Sequence, residues 1–134
     1  VNFDGVADTH AAIWFLFADP RISARAKAFI ERAASASRSI AISPITLVEI
    51  AYLVEKSKLP SEVYYELTKA LADPGHVLKE APFTAEVAEA LRRVPRDAVP
   101  DMPDRIVAAT AVFLGVPVIS RDGRIRASTV ETIW

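Results

Sequence analysis

Along these 134 residues, short apolar blocks alternate with stretches whose apolar positions recur every three or four residues. Val1–Asp8 reads as a first strand. Thr9–Ala18 is apolar at helical spacing through Ala12, Ile13, Leu16 and Phe17, and stops before Pro20. Ser23 opens a second helix over Ala24–Ser37, with Ala26, Phe29, Ile30 and Ala33 on one face, and Ser39–Ile42 reads as a short strand. Ser43-Pro44 then supplies an N-cap and a proline at the first helical position, starting a helix that runs to about Lys58. Pro60-Ser61 opens another helix to Ala72, Asp73-Pro74-Gly75 is a turn, and His76–Glu80 is a candidate strand. Thr84 caps a helix over Ala85–Val94, and Pro95–Pro100 is a loop. Asp101 opens a strongly apolar helix through Leu114, closed by Gly115 in the C′ role. Val116–Ser120 reads as a β-branched strand, Asp122-Gly123 as a turn, and Val130–Trp134 as a last strand. Strands separated by helices imply right-handed parallel crossovers and a sheet covered on both faces, hence an α/β fold.

Composition narrows the class. Hydrophobic residues make up 51% of the chain and charged ones 25%, with a mean hydropathy of +0.23, as in a folded, core-rich protein. One domain over residues 1–134 is expected at this length. No apolar run approaches the roughly 20 residues of a membrane span, and no basic segment precedes an apolar one, so a cytoplasmic setting is expected. The absence of cysteine rules out disulfides and thiolate metal sites, and two histidines make a His-rich zinc site a poor fit. A net charge of −1 argues against a general polyanion-binding surface. Between Arg92 and Arg126, however, seven arginines face four aspartates, a local excess of three positive charges. Solvated helix faces account for that excess as readily as contact with phosphates does.

Four carboxylates alter the picture. Asp8, Glu49, Asp104 and Asp122 each lie inside or at the end of an apolar stretch. An isolated ionised carboxylate is costly to bury unless something pairs with it. Asp8 can be an ordinary N-cap, or a site residue at the carboxyl end of a parallel strand, where open α/β sheets gather ligands. Asp104 can complement the dipole of a helix capped by Asp101. Asp122, before Gly123, can be a turn residue. Glu49 has no such excuse, since Ile45, Thr46, Tyr52 and Leu53 are its helical neighbours and Val48 and Ile50 flank it. Convergence on one divalent ion explains all four together. An all-oxygen set without His or Cys suits Mg²⁺ or Mn²⁺, ions that neutralise a scissile phosphate, activate water and stabilise a leaving oxygen. His10 reads as a packed helix residue, and Trp14, Tyr52, Tyr64 and Tyr65 read as core or dimer packing. His76 carries no signal.

The motifs resemble those of PIN-domain ribonucleases and, within them, the VapC-type toxins of bacterial toxin–antitoxin pairs. The matching stretches are Val6-Ala-Asp8-Thr9-His10-Ala-Ala-Ile-Trp14, Ile42-Ser-Pro-Ile-Thr-Leu-Val-Glu49-Ile, Asp101-Met-Pro-Asp104-Arg105-Ile-Val-Ala-Ala-Thr110 and Val118-Ile-Ser120-Arg-Asp122, closed by Ile125-Arg126 and Thr132-Ile-Trp134. The resemblance spans essentially the whole chain; each motif is loose, but their order and spacing are specific. It implies a three-layer α/β/α fold with a short, mainly parallel sheet. It also implies a site of four acids holding Mg²⁺ or Mn²⁺, which fall here on Asp8, Glu49, Asp104 and Asp122. Asp101 matches a frequent extra acid, and Thr9 and Ser120 match small hydroxyl residues near the site. The implied activity is metal-dependent endoribonuclease cleavage of cellular RNA, often transfer or ribosomal RNA. The implied partners are a cognate antitoxin and a second copy of the chain. Arg105, Arg121 and Arg124 are near enough in sequence to the site to meet RNA phosphates.

Three other classes compete. A haloacid-dehalogenase-like phosphatase also starts with an aspartate after its first strand, but it needs a second two residues on, where this chain has His10. A receiver-type phosphorylation domain wants paired acids there, and that pair is missing too. A catalytically silent interaction domain would use the acids as caps and turns and an apolar helix surface as its partner groove.

Overall fold

The computed structural model describes residues 1–134. Five strands, β1 (Phe3–Ala7), β2 (Ser39–Ile42), β3 (Leu78–Glu80), β4 (Val118–Ile119) and β5 (Thr132–Ile133), form one sheet in the order β3-β2-β1-β4-β5. Every pairing is parallel. The connecting helices are α1 (Thr9–Leu16), α2 (Ala24–Ser35), α3 (Pro44–Glu55), α4 (Ser61–Ala72), α5 (Ala85–Ala90), α6 (Met102–Leu114) and α7 (Gly123–Arg126), with a 3₁₀ turn at Leu91–Arg93.

Alternation along the strands assigns the layers. Val6, Ala41 and Val118 pack on one face with Val87, Val107 and Ala111 of α5 and α6. Their strand neighbours Ala7, Ile40, Ile42 and Ile119 pack on the other face with Ala12, Ile30, Ile50 and Leu67 of α1 to α4. A sheet buried on both sides has no polar alternation to show, which is why the strands read as short apolar blocks. This is the expected three-layer α/β/α arrangement. Gly5 lets α2 approach: a Cβ there would stand 3.1 Å from Phe29 Cε1 and 3.2 Å from the Pro117 carbonyl oxygen.

The strand order places a topological switch at the middle of the sheet. From β1 the chain builds outward through β2 to β3, then returns across the sheet to lay β4 against the free side of β1. The carboxyl ends of β1 and β4 therefore flank the crevice where such sheets bind ligands.

Several boundaries differ from the sequence reading. The first three helices stop at Leu16, Ser35 and Glu55, short of the expected Ala18, Ser37 and Lys58. Each is followed by a left-handed residue that is not glycine: Ala18 (φ 50°), Ser37 (φ 57°) and Ser57 (φ 56°). The next N–H in each case reaches back across the last turn, Asp19 to the Trp14 carbonyl, Arg38 to Ala33 and Lys58 to Leu53. These are Schellman closures without the usual glycine. The helix expected over Ala85–Val94 is α for its first six residues and tightens to 3₁₀ for Leu91–Arg93. The strands expected over Val1–Asp8, His76–Glu80, Val116–Ser120 and Val130–Trp134 are shorter at their ends. Asp122-Gly123 is not a bare turn but the start of α7.

Only α6 closes on a left-handed glycine, Gly115 at φ 69°, with open space where a Cβ would lie. Gly115→Ala is expected to cost about 1–2 kcal/mol from backbone strain alone. Gly123 has ordinary φ and equal room, so Gly123→Ala should be neutral or stabilising by up to about 0.5 kcal/mol. Urea unfolding of the two variants checks the contrast; equal losses would show that the αL backbone is not what matters.

Candidate active site

Each acidic candidate reaches the crevice from a different place in the fold. Asp8 follows β1 and caps α1, its Oδ1 accepting from the Ala11 N–H at 2.9 Å. It is buried, and its Oδ2 accepts from the Ser120 hydroxyl. Ser120 follows β4 and is completely buried; its Oγ also accepts from the Asp122 N–H at 2.9 Å. Asp122 caps α7, accepting from the Arg124 N–H at 2.8 Å. Glu49 projects from α3 and accepts from the buried Thr9 hydroxyl at 2.5 Å. Asp104 stands in the first turn of α6, and its N–H is capped by the Asp101 carboxylate at 3.1 Å.

Asp8, Glu49, Asp104 and Asp122 line one cleft of about 290 Å³, together with Thr9, His10, Trp14 and Arg121. The remaining candidates lie elsewhere. Asp101 is an exposed cap whose charge bears on Asp104 but which does not line the cleft. Arg105 is outside the lining, and its Nε donates to the Val94 carbonyl at 2.9 Å and its Nη2 to the Leu91 carbonyl at 3.1 Å. It ties the 3₁₀ turn to α6. Arg124 is exposed and also outside the lining. Sequence reasoning set His10 and Trp14 aside as packing residues, yet both line the cleft. Trp14 does pack, being 4% exposed, so its cleft-facing edge carried no separate signal.

None of the cleft's carboxylates is ion-paired. The three ion pairs of the structure involve Asp4, Asp19 and Glu89, none of them in the cleft. Burial pushes the Asp8 carboxyl up, against the Ser120 and Ala11 hydrogen bonds that favour its charged form. Asp104 is pushed up to about 8, first by burial and then by the negative charges of Asp101, Asp122 and Glu49. Crowded carboxylates with no protein cation paired to them fit a hard divalent ion, whose charge would reverse this penalty. The donor set is all oxygen, as Mg²⁺ or Mn²⁺ prefers. No three Asp, Glu or His side chains already stand in a metal-holding arrangement. The carboxylates instead rest on Ser120, Thr9 and the helix N–H groups, and an ion would have to draw them together.

The PIN-domain family model matches residues 6–129. The chain belongs to the PIN-domain family. Among curated proteins it is similar to ribonuclease VapC22 of Mycobacterium tuberculosis, 28% identical over 131 residues that cover 95% of each chain. Among solved structures it is similar to VapBC2 from Rickettsia felis bound to a DNA fragment from their promoter, with a TM-score of 0.69, 18% identity and 95% coverage of each chain. A toxin–antitoxin complex from Klebsiella pneumoniae has a TM-score of 0.62 and 22% identity, with 97% of this chain and 96% of that one covered. FitAcB from Neisseria gonorrhoeae has a TM-score of 0.60 and 21% identity, with 95% and 94% covered. The PIN-domain match removes the ground for a haloacid-dehalogenase-like phosphatase.

The charge crowding fixes how metal-free protein responds to pH. Through the window from 3.8 to about 8, folded Asp104 holds its proton while unfolded Asp104 has lost it. The native state binds more protons there, so stability falls as pH rises through that window. With a chelator present, Asp104→Asn should melt higher than the parent, and the gap should widen between about pH 5 and about pH 8. A gap independent of pH, measured by calorimetry, would contradict the crowding.

Proposed function

We propose that this PIN domain is a metal-dependent endoribonuclease of the VapC type, acting in the cytoplasm as the toxin of a toxin–antitoxin pair. The observation that carries this reading is the meeting of Asp8, Glu49, Asp104 and Asp122, from separate elements, in one cleft without a cation of the protein paired to them. The likeness to a curated ribonuclease over 95% of the chain supports it.

In this reading Asp8, Glu49 and Asp104 would hold Mg²⁺ or Mn²⁺, with Asp122 completing the set. When bound, such an ion would supply positive charge toward a phosphate and acidify a water. The rest falls to the chain's own residues. Ser120 orients Asp8 from β4, and Thr9 orients Glu49 from α1. Both hydroxyls fix a carboxylate oxygen without adding charge, leaving the negative set intact for the ion. Asp104 must give up its proton to bind, so metal affinity rises with pH up to about 8 and levels off above it. Asp101 supports the site through its charge on Asp104 and its cap on α6.

An antitoxin is the natural partner in this reading, since the similar structures include toxin–antitoxin complexes. A second copy of the chain is the other. Val48, Tyr52 and Tyr65 leave large apolar surface open on α3 and α4, with Tyr52 57% and Tyr65 62% exposed. Such a surface serves either partner better than it serves solvent.

Asp8→Asn and Asp104→Asn should each cut RNA at less than about a hundredth of the parent rate while keeping the parent's circular dichroism. EDTA should silence the parent, and Mn²⁺ should raise its melting temperature but not that of Asp104→Asn. Inducible expression of parent and Asp8→Asn, followed by mapping of new RNA 5′ ends, tests the activity in cells. RNA cleavage by either variant at the parent rate would sink the assignment. A parent that neither binds Mn²⁺ nor cuts RNA would favour the silent interaction domain.

A further inference from the structure

Arg121 stands out among the residues lining the cleft as its one arginine or lysine. It sits beside four carboxylates, yet it enters none of the structure's ion pairs and no hydrogen bond of its guanidinium is present. Its Cζ lies 4.5 Å from the centroid of the Trp14 ring. The guanidinium is thus held by an indole face, and all five of its N–H donors remain open.

Both halves of this pair are anchored. The backbone on either side of Arg121 is fixed, by completely buried Ser120 before it and by the Asp122 N–H bonded to the Ser120 hydroxyl after it. Trp14 is 4% exposed. Its ring packs on Trp134 at 5.8 Å and on His10 at 5.5 Å, and Arg21 Cζ lies 5.0 Å from its centroid. Arg21 is already committed, however, gripping Asp19 through both Nε and Nη2. Arg105 is tied to two carbonyls and lies outside the cleft lining. Only Arg121 combines a place in the cleft, a seat over the Trp14 ring and wholly unused donors.

A cleft of four carboxylates repels a polyanion except where an ion or a cationic side chain offsets it. Building on the ribonuclease reading above, we infer that Arg121 grips the RNA backbone phosphate next to the scissile one, and that Trp14 is the positioning residue that holds its guanidinium in place. A planar fork stacked on an aromatic face suits two parallel N–H bonds to phosphate oxygens. This contact reads charge and shape, not base identity, so it anchors any RNA strand and leaves sequence choice to other residues.

The test uses fluorescence anisotropy of a labelled, unstructured RNA oligonucleotide on the cleavage-silent Asp104→Asn chain, across a salt series. Adding Arg121→Ala should weaken binding roughly tenfold and make log Kd against log salt shallower by about 0.7, one phosphate contact on a single strand. Arg121→Lys should keep the salt slope but lose part of the affinity, because a lysine keeps the charge without the fork or the stack. Trp14→Phe should bind like the parent. Trp14→Leu should weaken binding with Arg121 present and have no further effect in the Arg121→Ala background. In the cleavage-competent chain, Arg121→Ala should act mainly on KM.

An unchanged salt slope in Arg121→Ala would overturn the phosphate contact while leaving the ribonuclease reading standing. Additive losses from Trp14→Leu and Arg121→Ala would overturn the positioning role of Trp14. If Trp14→Leu does not fold, Arg121→Ala and Arg121→Lys still decide the contact. A chain that binds no RNA at any salt overturns this inference, whereas the Asp8→Asn cleavage assay tests the ribonuclease reading by itself.

Discussion

β1 and β4 lie side by side although more than a hundred residues of chain separate them, with Val6 opposite Val118 and Ala7 opposite Ile119. The seam continues past the strands, where the Asp8 N–H bonds the Ile119 carbonyl and the Ser120 hydroxyl donates to Asp8 Oδ2. That buried hydroxyl is the point on which the cleft turns. It fixes one oxygen of Asp8, and by accepting from the Asp122 N–H it also sets the chain direction that carries Asp122 toward the same crevice. A slip of one residue along this seam would exchange the two faces of β4. Val118 and Ile119 would leave their respective cores, and Ser120 would no longer meet Asp8. The packing of two hydrophobic layers thus enforces the register that assembles the acids.

Capping and site formation are one device in this molecule, not alternatives. Asp8 spends Oδ1 on the Ala11 N–H and Asp122 spends Oδ1 on the Arg124 N–H. Each cap fixes a carboxylate at the mouth of a helix and uses only one of its oxygens for that purpose. Asp104, in the first turn of α6, adds a third helix start to the crevice. The partial positive charge at helix N-termini offsets some of the repulsion among the acids. Yet Asp104 is still pushed up to about 8, so the dipoles do not neutralise the cleft. That residual imbalance is what distinguishes these carboxylates from ordinary caps, and an isolated cap offers no such signature in sequence.

Much of the fold was legible because its signals are local. Ser23, Ser43-Pro44, Thr84 and Asp101 mark helix starts, and the structure begins a helix after each cap. Helix ends were less legible because Ala18, Ser37 and Ser57 close them in the left-handed region without glycine. Local backbone hydrogen bonds close those exposed turns, and no residue type announces them. The acids themselves were legible as carboxylates in apolar surroundings. Their meeting in space depends on β4 returning to the free side of β1, a matter of strand order that no local pattern encodes. Trp14 illustrates the same limit. A buried aromatic looks alike in sequence whether its edge faces more core or a cleft.

The arginine-rich stretch from Arg92 to Arg126 shows why a charge count is a weak guide to a polyanion site. Its excess of positive charge is not one surface. Arg92 pairs with Glu89 on an exposed face, a contact worth little in water. Arg105 sits at the carbonyl end of the 3₁₀ turn, where a cation satisfies orphan acceptors and links two elements of the same core face. Arg124 lies outside the cleft, and Arg121 alone enters it. A net charge of −1 is therefore compatible with a phosphodiester substrate, because attraction at short range depends on which few donors remain unpaired beside the reacting bond. In this molecule the carboxylates that would gather an ion and the single open guanidinium share one cleft, while the rest of the charge is spent on the fold or on solvent.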